Sequence, residues 1–278
     1  MSVRLELPPT FGQVLAKSTR SQVGMWISSG STINAEICAG SGLDWVLIDG
    51  EHSPLSLESI QAQLQAVAPY PATPVVRLPV NDTVLIKQYL DLGAQNLLIP
   101  MVNTADEAAK AVVATRYPPE GVRGVGSALA RAARWNRVEN YLTKSNDEYV
   151  SVIVQIESAQ AVENVKEICA TPGVDGIFIG PSDLAASMGL IGQQAHPDVV
   201  ANIKKIIAAA RDAGIPVGIN AFDPKLARGY IDEGIDFILV QADVAILTRQ
   251  SEALAATFIP IQQGEEQAGK PGEERASY

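Results

Sequence analysis

The stretch WVLIDGEHSP, residues 45–54, decides how this chain is interpreted. The residues from Trp45 to Ile48 have the composition of a buried strand, yet Asp49, Glu51 and His52 follow immediately. Because burying ionisable groups without partners is costly, a core strand should not end in three of them. A strand that delivers these groups to one rim of a barrel removes the conflict.

Seven other apolar runs have the composition of strands. They are VGMWIS (23–28), PVVRLP (74–79), NLLIPMV (96–102), VSVIVQIE (150–157), GIFIG (176–180), PVGIN (216–220) and FILVQAD (237–243). Most are continuously apolar, as parallel strands covered on both faces should be. Helix-like segments lie between them, and several end in Gly before the next strand.

Eight such alternations predict one (β/α)8 TIM barrel over residues 1–260. A doubly wound open sheet is the alternative, but no Gly-rich dinucleotide loop follows the first strand. Residues 118–148 form a long insertion between the fourth and fifth strands that contains Arg123, Arg131, Arg134 and Arg137. Residues 261–278 are polar and charged, which predicts a disordered tail.

Composition excludes several classes of partner. The formal net charge of −10 argues against nucleic acid and anionic membranes. Two cysteines, Cys38 and Cys169, do not make a disulfide framework. No apolar run approaches the roughly 20 residues that span a bilayer, and the first residues lack an apolar signal core. We therefore expect a soluble, cytoplasmic protein.

A TIM barrel carries its catalytic groups at the carboxyl ends of its strands. In this sequence those positions hold Trp26, Asp49, Glu51, His52, Arg77, Gln155, Glu157, Gly180, Ser182 and Asp183. For any one of the charged residues, a solvated or ion-paired strand end is the alternative, and we favour it for Glu51. For the whole set, coincidence is a poor explanation.

Glu157 and Asp183 follow adjacent strands, so their carboxylates can converge on one point. Two like charges brought together need a counterion, and oxygen ligands suit Mg²⁺, Mn²⁺ or Co²⁺. Gly180 allows close backbone approach, and the Ser182 and Asp183 amides can begin a helix that binds a carboxylate. A general acid/base pair, as in glycosidases, is the alternative.

Arg77 lies in an apolar strand, where its guanidinium cannot lose its charge. Its guanidinium either forms a structural ion pair or stabilises negative charge on a substrate oxygen. His52 is either a hydrogen-bonded rim residue or a proton-transfer group, and its neighbour Asp49 favours the second interpretation.

Six stretches together resemble one known family. WVLIDGEHSP, PVVRLP, LDLGAQNLLIPM, TRYPPEGVRGVGSALARAARWNR, VQIES and VDGIFIGPSDLAASMG are similar to the HpcH/HpaI family of class II, metal-dependent pyruvate aldolases. The resemblance runs from about Trp26 to Phe258. It implies Glu157 and Asp183 as metal ligands and Gln155 and Ser182 as substrate contacts.

The same resemblance implies further roles. His52 matches the proton acceptor, Arg77 the residue that stabilises the enolate, and Asp91 an acid that raises the basicity of the histidine. Asp49 belongs to the same polar cluster, and Trp26 to the pocket wall. Family members form hexamers whose active sites borrow residues from a neighbouring subunit, and the arginine-rich insertion is a candidate source of such contacts.

The implied reaction is the reversible, divalent-metal-dependent cleavage of a 4-hydroxy-2-oxo acid, such as 4-hydroxy-2-oxoheptanedioate, to pyruvate and an aldehyde through a metal-bound enolate. A 2-keto-3-deoxy sugar acid as substrate, or citrate-lyase-like cleavage of an acyl-CoA ester, remains an alternative. A class I aldolase would need a strand lysine, which none of the eight runs contains. A non-enzymatic binding or scaffold protein is a further alternative, in which the rim residues would have no catalytic role.

Two strand ends depart from the family pattern. The eighth strand continues as VQADVAIL, with Gln241 where relatives commonly carry glycine. The seventh ends GINAFDP rather than in a smaller apolar run. Because these ends can shape the aldehyde side of the site, the preferred aldehyde can differ here.

Overall fold

A computed structural model describes residues 3–259, so the predicted polar tail lies outside the described residues. Eight parallel strands form a closed barrel in sequence order, as predicted, and β1 pairs with both β2 and β8. The strands are β1 (Gln22–Ile27), β2 (Trp45–Asp49), β3 (Thr73–Arg77), β4 (Asn96–Ile99), β5 (Ser151–Ile156), β6 (Gly176–Ile179), β7 (Val217–Asn220) and β8 (Phe237–Ala242).

Helices surround this barrel. The described residues form α1 (Phe11–Lys17), α2 (Thr32–Ala39), α3 (Leu57–Val67), α4 (Thr83–Asp91), α5 (Ala105–Thr115), α6 (Tyr141–Lys144), α7 (Ala159–Glu163), α8 (Val165–Cys169), α9 (Pro181–Ser187), α10 (Pro197–Ala213), α11 (Pro224–Asp232) and α12 (Asp243–Phe258). Between residues 3 and 259, no helix has the length and apolar character needed to cross a lipid bilayer.

The two-residue period of the strands explains why polar groups follow apolar ones at the rim. Leu47, Val75 and Ile153 point into the barrel and belong to one buried apolar cluster. Side chains two positions further on point to the same side of a strand. Asp49, Arg77 and Gln155 therefore form the next layer of the interior, where apolar packing gives way to a polar cavity.

Helix α1 closes the opposite end of the barrel, and the strand pattern did not predict it. The ring of Phe11 lies 5.0 Å from that of Trp45 and 5.4 Å from that of Phe237. The backbone N–H of Phe11 donates to Oδ1 of Asn96, the first residue of β4, at 2.6 Å. The helix thus covers the amino-terminal ends of the strands with an aromatic side chain.

The arginine-rich insertion is ordered and packs against the outside of the barrel. It contains a 3-10 turn (Arg131–Ala133), α6 and a π-helical turn (Ser145–Tyr149). Arg123 is fully buried, with its guanidinium carbon 4.6 Å from the ring centre of Tyr117. Its Nη2 lies 3.1 Å from Oδ1 of Asp91. This ion pair connects the insertion to the end of α4.

Replacing Phe11 with alanine should lower the free energy of unfolding by about 3–5 kcal/mol, because a fully buried aromatic ring leaves a cavity among Trp45 and Phe237. Thermal and urea denaturation of the purified protein would measure the change. Phe258→Ala is the matched control, since that ring is 77% exposed and its loss should change little. Equal effects of the two substitutions would contradict the role of α1.

Candidate active site

A cavity of about 830 Å³ lies at the carboxyl-terminal ends of the strands. Eight of the residues that the sequence placed in the site line it: Trp26, Asp49, His52, Arg77, Gln155, Gly180, Ser182 and Asp183. They come from β1, β2, β3, β5 and β6 or from the loops and helix that follow those strands. The structure therefore brings together side chains that are up to 157 residues apart in sequence.

Arg77, the last residue of β3, is held by two carboxylates. Its Nε and Nη2 each donate to Oδ1 of Asp49 at 2.8 Å. Its Nη1 lies 2.9 Å from Oε2 of Glu51. The guanidinium carbon lies 4.4 Å from the ring centre of Trp26, within cation–π distance. With a residue exposure of 5%, Arg77 is a fixed positive charge at the cavity wall.

Glu51 is one of these partners. Of the two ordinary interpretations given for a charged strand end, solvated or ion-paired, the structure shows the ion pair. Burial raises the pKa of its carboxyl group above the usual range. The charges of Arg77 and His52 lower this pKa, while those of Asp49 and Asp183 raise it. Glu51 therefore belongs to the electrostatic environment of the site, although its position in the sequence did not set it apart from an ordinary rim residue.

Glu157 is almost completely buried, with 3% exposure, just beyond the end of β5. Its Oε1 accepts a hydrogen bond from the backbone N–H of Met101 at 2.7 Å, and its Oε2 accepts one from the side-chain amide of Gln155. Burial, together with the charges of Asp183 and Glu51, raises the pKa of Glu157 to about 7. The hydrogen bond from Met101 and the charge of Arg77 oppose this shift.

Gly180 is required where it stands because of Glu157. A Cβ atom at this position would lie 2.7 Å from Oε2 of Glu157 and 3.0 Å from Nε2 of Gln155. The first distance is shorter than real Cβ contacts, so the carboxylate of Glu157 would have to move, and the second is tight. The backbone after β6 therefore passes directly beside the buried carboxylate, and Asp183 follows in the first turn of α9.

The site has an excess of negative charge that suits a cation. Asp49, Glu51, Glu157 and Asp183 interact electrostatically with one another or with the single guanidinium of Arg77. In addition, Oε1 of Gln155 is buried without a hydrogen-bond partner among residues 3–259. An unpartnered buried oxygen is unfavourable unless a donor or a cation satisfies it.

Carboxylate and amide oxygens are the ligands that Mg²⁺ and Mn²⁺ prefer, with water or substrate completing the coordination. Across residues 3–259, no three His, Cys, Asp or Glu side chains are grouped so that they could hold a metal ion by themselves. The residues present therefore fit an open site with few protein ligands rather than a closed structural one.

His52 lies at the mouth of the cavity, where its side chain is 65% exposed. Its Nε2 lies 4.0 Å from Oε1 of Glu51. The backbone N–H groups of Glu51 and His52 both point to Oδ1 of Asp49, at 3.0 and 3.4 Å. Asp49 therefore fixes the turn that carries the histidine as well as the guanidinium of Arg77.

Two predicted site residues, Glu157 and Asp91, are not among those that line the cavity. Glu157 is buried directly behind the wall, against Gly180 and Gln155, whereas Asp91 contacts neither of them. Asp91 ends α4, which leads back towards the start of β4, and its carboxylate pairs with Arg123. Its side chain is 41% exposed. None of the arginines of the insertion lines the cavity either.

The sequence interpretation singled out the ends of the seventh and eighth strands but named none of the cavity residues there as site residues, including Asn220, Phe222 and Ala242. Asn220 ends β7, and its Oδ1 accepts a hydrogen bond from the indole Nε1–H of Trp26 at 2.8 Å. A polar residue at the carboxyl end of a buried strand was the signal available for Asn220. Phe222 and Ala242 carry no comparable signal, because apolar residues are common at such positions.

The chain is similar to several known proteins. The HpcH/HpaI aldolase/citrate lyase family matches residues 22–249. The chain is 53% identical over 242 residues to a 4-hydroxy-2-oxo-heptane-1,7-dioate aldolase from Shigella flexneri, covering 87% of this chain and 90% of that protein.

Two solved structures are also similar. An HpcH/HpaI aldolase/citrate lyase family protein from Burkholderia cenocepacia J2315 has a TM-score of 0.85 and 42% identity, covering 88% of this chain and 97% of that one. An HpcH/HpaI aldolase from Desulfitobacterium hafniense DCB-2 has a TM-score of 0.83 and 28% identity, covering 93% and 100%. The chain therefore belongs to the HpcH/HpaI aldolase/citrate lyase family.

Proposed function

We propose that the protein is a divalent-metal-dependent aldolase that reversibly cleaves a 4-hydroxy-2-oxo acid to pyruvate and an aldehyde. The observation that carries the proposal is the fixed guanidinium of Arg77, which shares a cavity with an excess of carboxylates. The similarity to 4-hydroxy-2-oxo-heptane-1,7-dioate aldolases supports this substrate class, with 4-hydroxy-2-oxoheptanedioate as its first candidate.

In this proposal Glu157 and Asp183 would hold Mg²⁺, Mn²⁺ or Co²⁺, next to Oε1 of Gln155. A divalent cation bound there supplies Lewis acidity towards the carboxylate and keto oxygens of the substrate. Ser182 contacts the same end of the substrate, and Gly180 leaves room for it. Trp26 forms the wall beneath Arg77.

Side chains of the protein carry out the bond cleavage and the proton transfer. His52 accepts the proton of the C4 hydroxyl, C4 becomes the carbonyl carbon of the aldehyde, and the C3–C4 bond breaks. Its electron pair passes into the enolate of pyruvate, whose negative oxygen is stabilised by Arg77. A proton from solvent then adds to C3 and gives the methyl group, and His52 releases its own proton to solvent. Asp49 and Glu51 hold Arg77 in place throughout.

We extend the proposal to assembly because Asp91 pairs with Arg123 and does not line the cavity that His52 lines. Family resemblance gives Asp91 the task of raising the basicity of the histidine. Its position beside Arg123 allows this only if Asp91 reaches the cavity of a neighbouring copy. The protein is then a homo-oligomer, with a hexamer as the expected state.

Two alternatives are less well supported. No lysine lines the described cavity, so a Schiff-base aldolase lacks its amine there. Citrate-lyase-like cleavage of an acyl-CoA ester shares the enolate chemistry and the family name. Turnover of CoA thioesters in the absence of any turnover of free 4-hydroxy-2-oxo acids would favour it.

Removing a proposed metal ligand should abolish metal-dependent cleavage. Glu157→Gln and Asp183→Asn should each lower kcat/KM by more than about 100-fold, since each removes a charged ligand at nearly constant volume. Pyruvate release would be measured with Mg²⁺, Mn²⁺ and Co²⁺ after chelator treatment. Asp198→Asn is the control, because this carboxylate is 74% exposed and lies outside the cavity. Normal turnover of a ligand variant in chelator would exclude the metal site.

Arg77→Ala should remove both aldol cleavage and the exchange of pyruvate methyl protons with solvent, each by about 100- to 1000-fold. Loss of the guanidinium removes the charge that stabilises the enolate in both reactions. Proton NMR in D₂O would follow the exchange. Arg20→Ala removes an exposed arginine paired with Asp44 and should leave exchange unchanged. Exchange that survives Arg77→Ala would rule out an enolate role.

The proposed role of Asp91 can be tested by mixing two defective chains. His52→Ala and Asp91→Ala variants should each be impaired as pure proteins. When they are co-expressed, some cavities should combine an intact histidine with an intact aspartate of a neighbouring copy, and activity should reappear. Absence of any gain over the pure variants in verified mixed oligomers would contradict catalysis across the subunit boundary.

A further inference from the structure

Asn220 is a polar group in the cavity that the proposed reaction does not yet use. It ends β7, on the far side of the cavity from Arg77 on β3. Its side chain is buried, and its Oδ1 accepts the indole N–H of Trp26 at 2.8 Å. The hydrogen bond connects β1 and β7, which are separated by β8 in the closed barrel.

This hydrogen bond determines the orientation of the Asn220 amide. The indole nitrogen of Trp26 can only donate, so the carbonyl oxygen of Asn220 must face it. The amino group, Nδ2, then points the other way. It makes no hydrogen bond with any other residue between 3 and 259, and it is not fully enclosed. Because Asn220 lines the cavity, this N–H donor faces the open space.

The position of Asn220 in the cavity indicates which half of the substrate its N–H donor would contact. Arg77, Gln155 and Asp183, from the β3, β5 and β6 side, surround the proposed place of pyruvate. Asn220 lies on the opposite wall, together with the apolar side chains of Phe222 and Ala242. The aldehyde that leaves or enters must occupy this second half, since the cavity is far larger than a three-carbon acid.

We propose that Asn220 is a specificity-determining residue that favours aldehydes carrying a hydroxyl group over alkyl aldehydes of the same size. The inference rests on the proposed aldolase function. The held amide donates N–H to a hydroxyl oxygen of the aldehyde. An alkyl aldehyde of the same size leaves that donor without a partner in a partly buried cavity, which is unfavourable. The apolar neighbours Phe222 and Ala242 offer no substitute for the lost bond.

Two pairs of aldehydes test the idea directly, because their members differ only in a hydroxyl against a methyl group. They are glycolaldehyde with propanal, and 3-hydroxypropanal with butanal. The measured quantity is the ratio of kcat/KM values within each pair for addition of pyruvate, with Mg²⁺ present. The hydroxyl member of at least one pair should be favoured about 10-fold by the unmodified protein, and Asn220→Leu should bring that ratio close to unity.

Working with ratios cancels any general loss of activity in a variant. Trp26→Phe keeps a ring beneath Arg77 but removes the N–H that orients the amide. Its kcat/KM ratio should therefore fall between the ratio of the unmodified protein and that of Asn220→Leu. Asn81→Leu is the matched control, because Asn81 donates to the backbone oxygen of Glu107 outside the cavity. Its ratio should equal that of the unmodified protein.

The outcomes separate this inference from the proposed function. If the unmodified protein exchanges pyruvate methyl protons and forms aldol products, but Asn220→Leu leaves both ratios unchanged, the role of Asn220 is overturned and the aldolase function stands. If the unmodified protein shows neither exchange nor aldol products, both the aldolase function and the role of Asn220 are wrong. A ratio in Trp26→Phe equal to that of the unmodified protein would overturn the orienting role of the indole.

Discussion

The guanidinium of Arg77 is the group on which the rest of the site depends. Asp49 binds one edge of it and Glu51 another, while the ring of Trp26 lies against its face. A buried arginine without such partners would strongly destabilise the fold, because it cannot lose its proton. The carboxylates that stabilise it are themselves partly buried, so the charges at this rim must be balanced as a set. This coupling explains why ionisable residues follow several different strands.

Charge balance also explains the state of Glu157. Burial and neighbouring carboxylates raise its pKa to about 7, which means that an isolated carboxylate is unfavourable at that position. Its two hydrogen bonds nevertheless hold both oxygens in place. Such a group is prepared for a cation that restores its negative form. The overall charge of −10 does not prevent the site from binding an anionic oxo acid, because Arg77 and the proposed cation set the local sign.

Much of this could be predicted from the sequence, for physical reasons. Strands buried on both faces leave continuous apolar runs, so all eight were found, and polar residues such as Arg77 and Gln155 at their ends indicated the rim. Helix α1 was missed because only seven residues form it and its burial depends on contacts with distant Asn96 and Trp45. The hydrogen bond between Trp26 and Asn220 joins positions 194 residues apart, a pairing that only the closed barrel makes visible.

The contact between Gly180 and Glu157 sets a limit on how the site can be altered. A side chain at position 180 would displace the buried carboxylate of Glu157 and crowd Gln155, so a change in this wall disturbs the proposed metal ligand. The wall formed by Asn220, Phe222 and Ala242 has no such restriction from the proposed metal ligands. A library designed to give the protein new acceptors should therefore hold residue 180 constant and randomise those three positions.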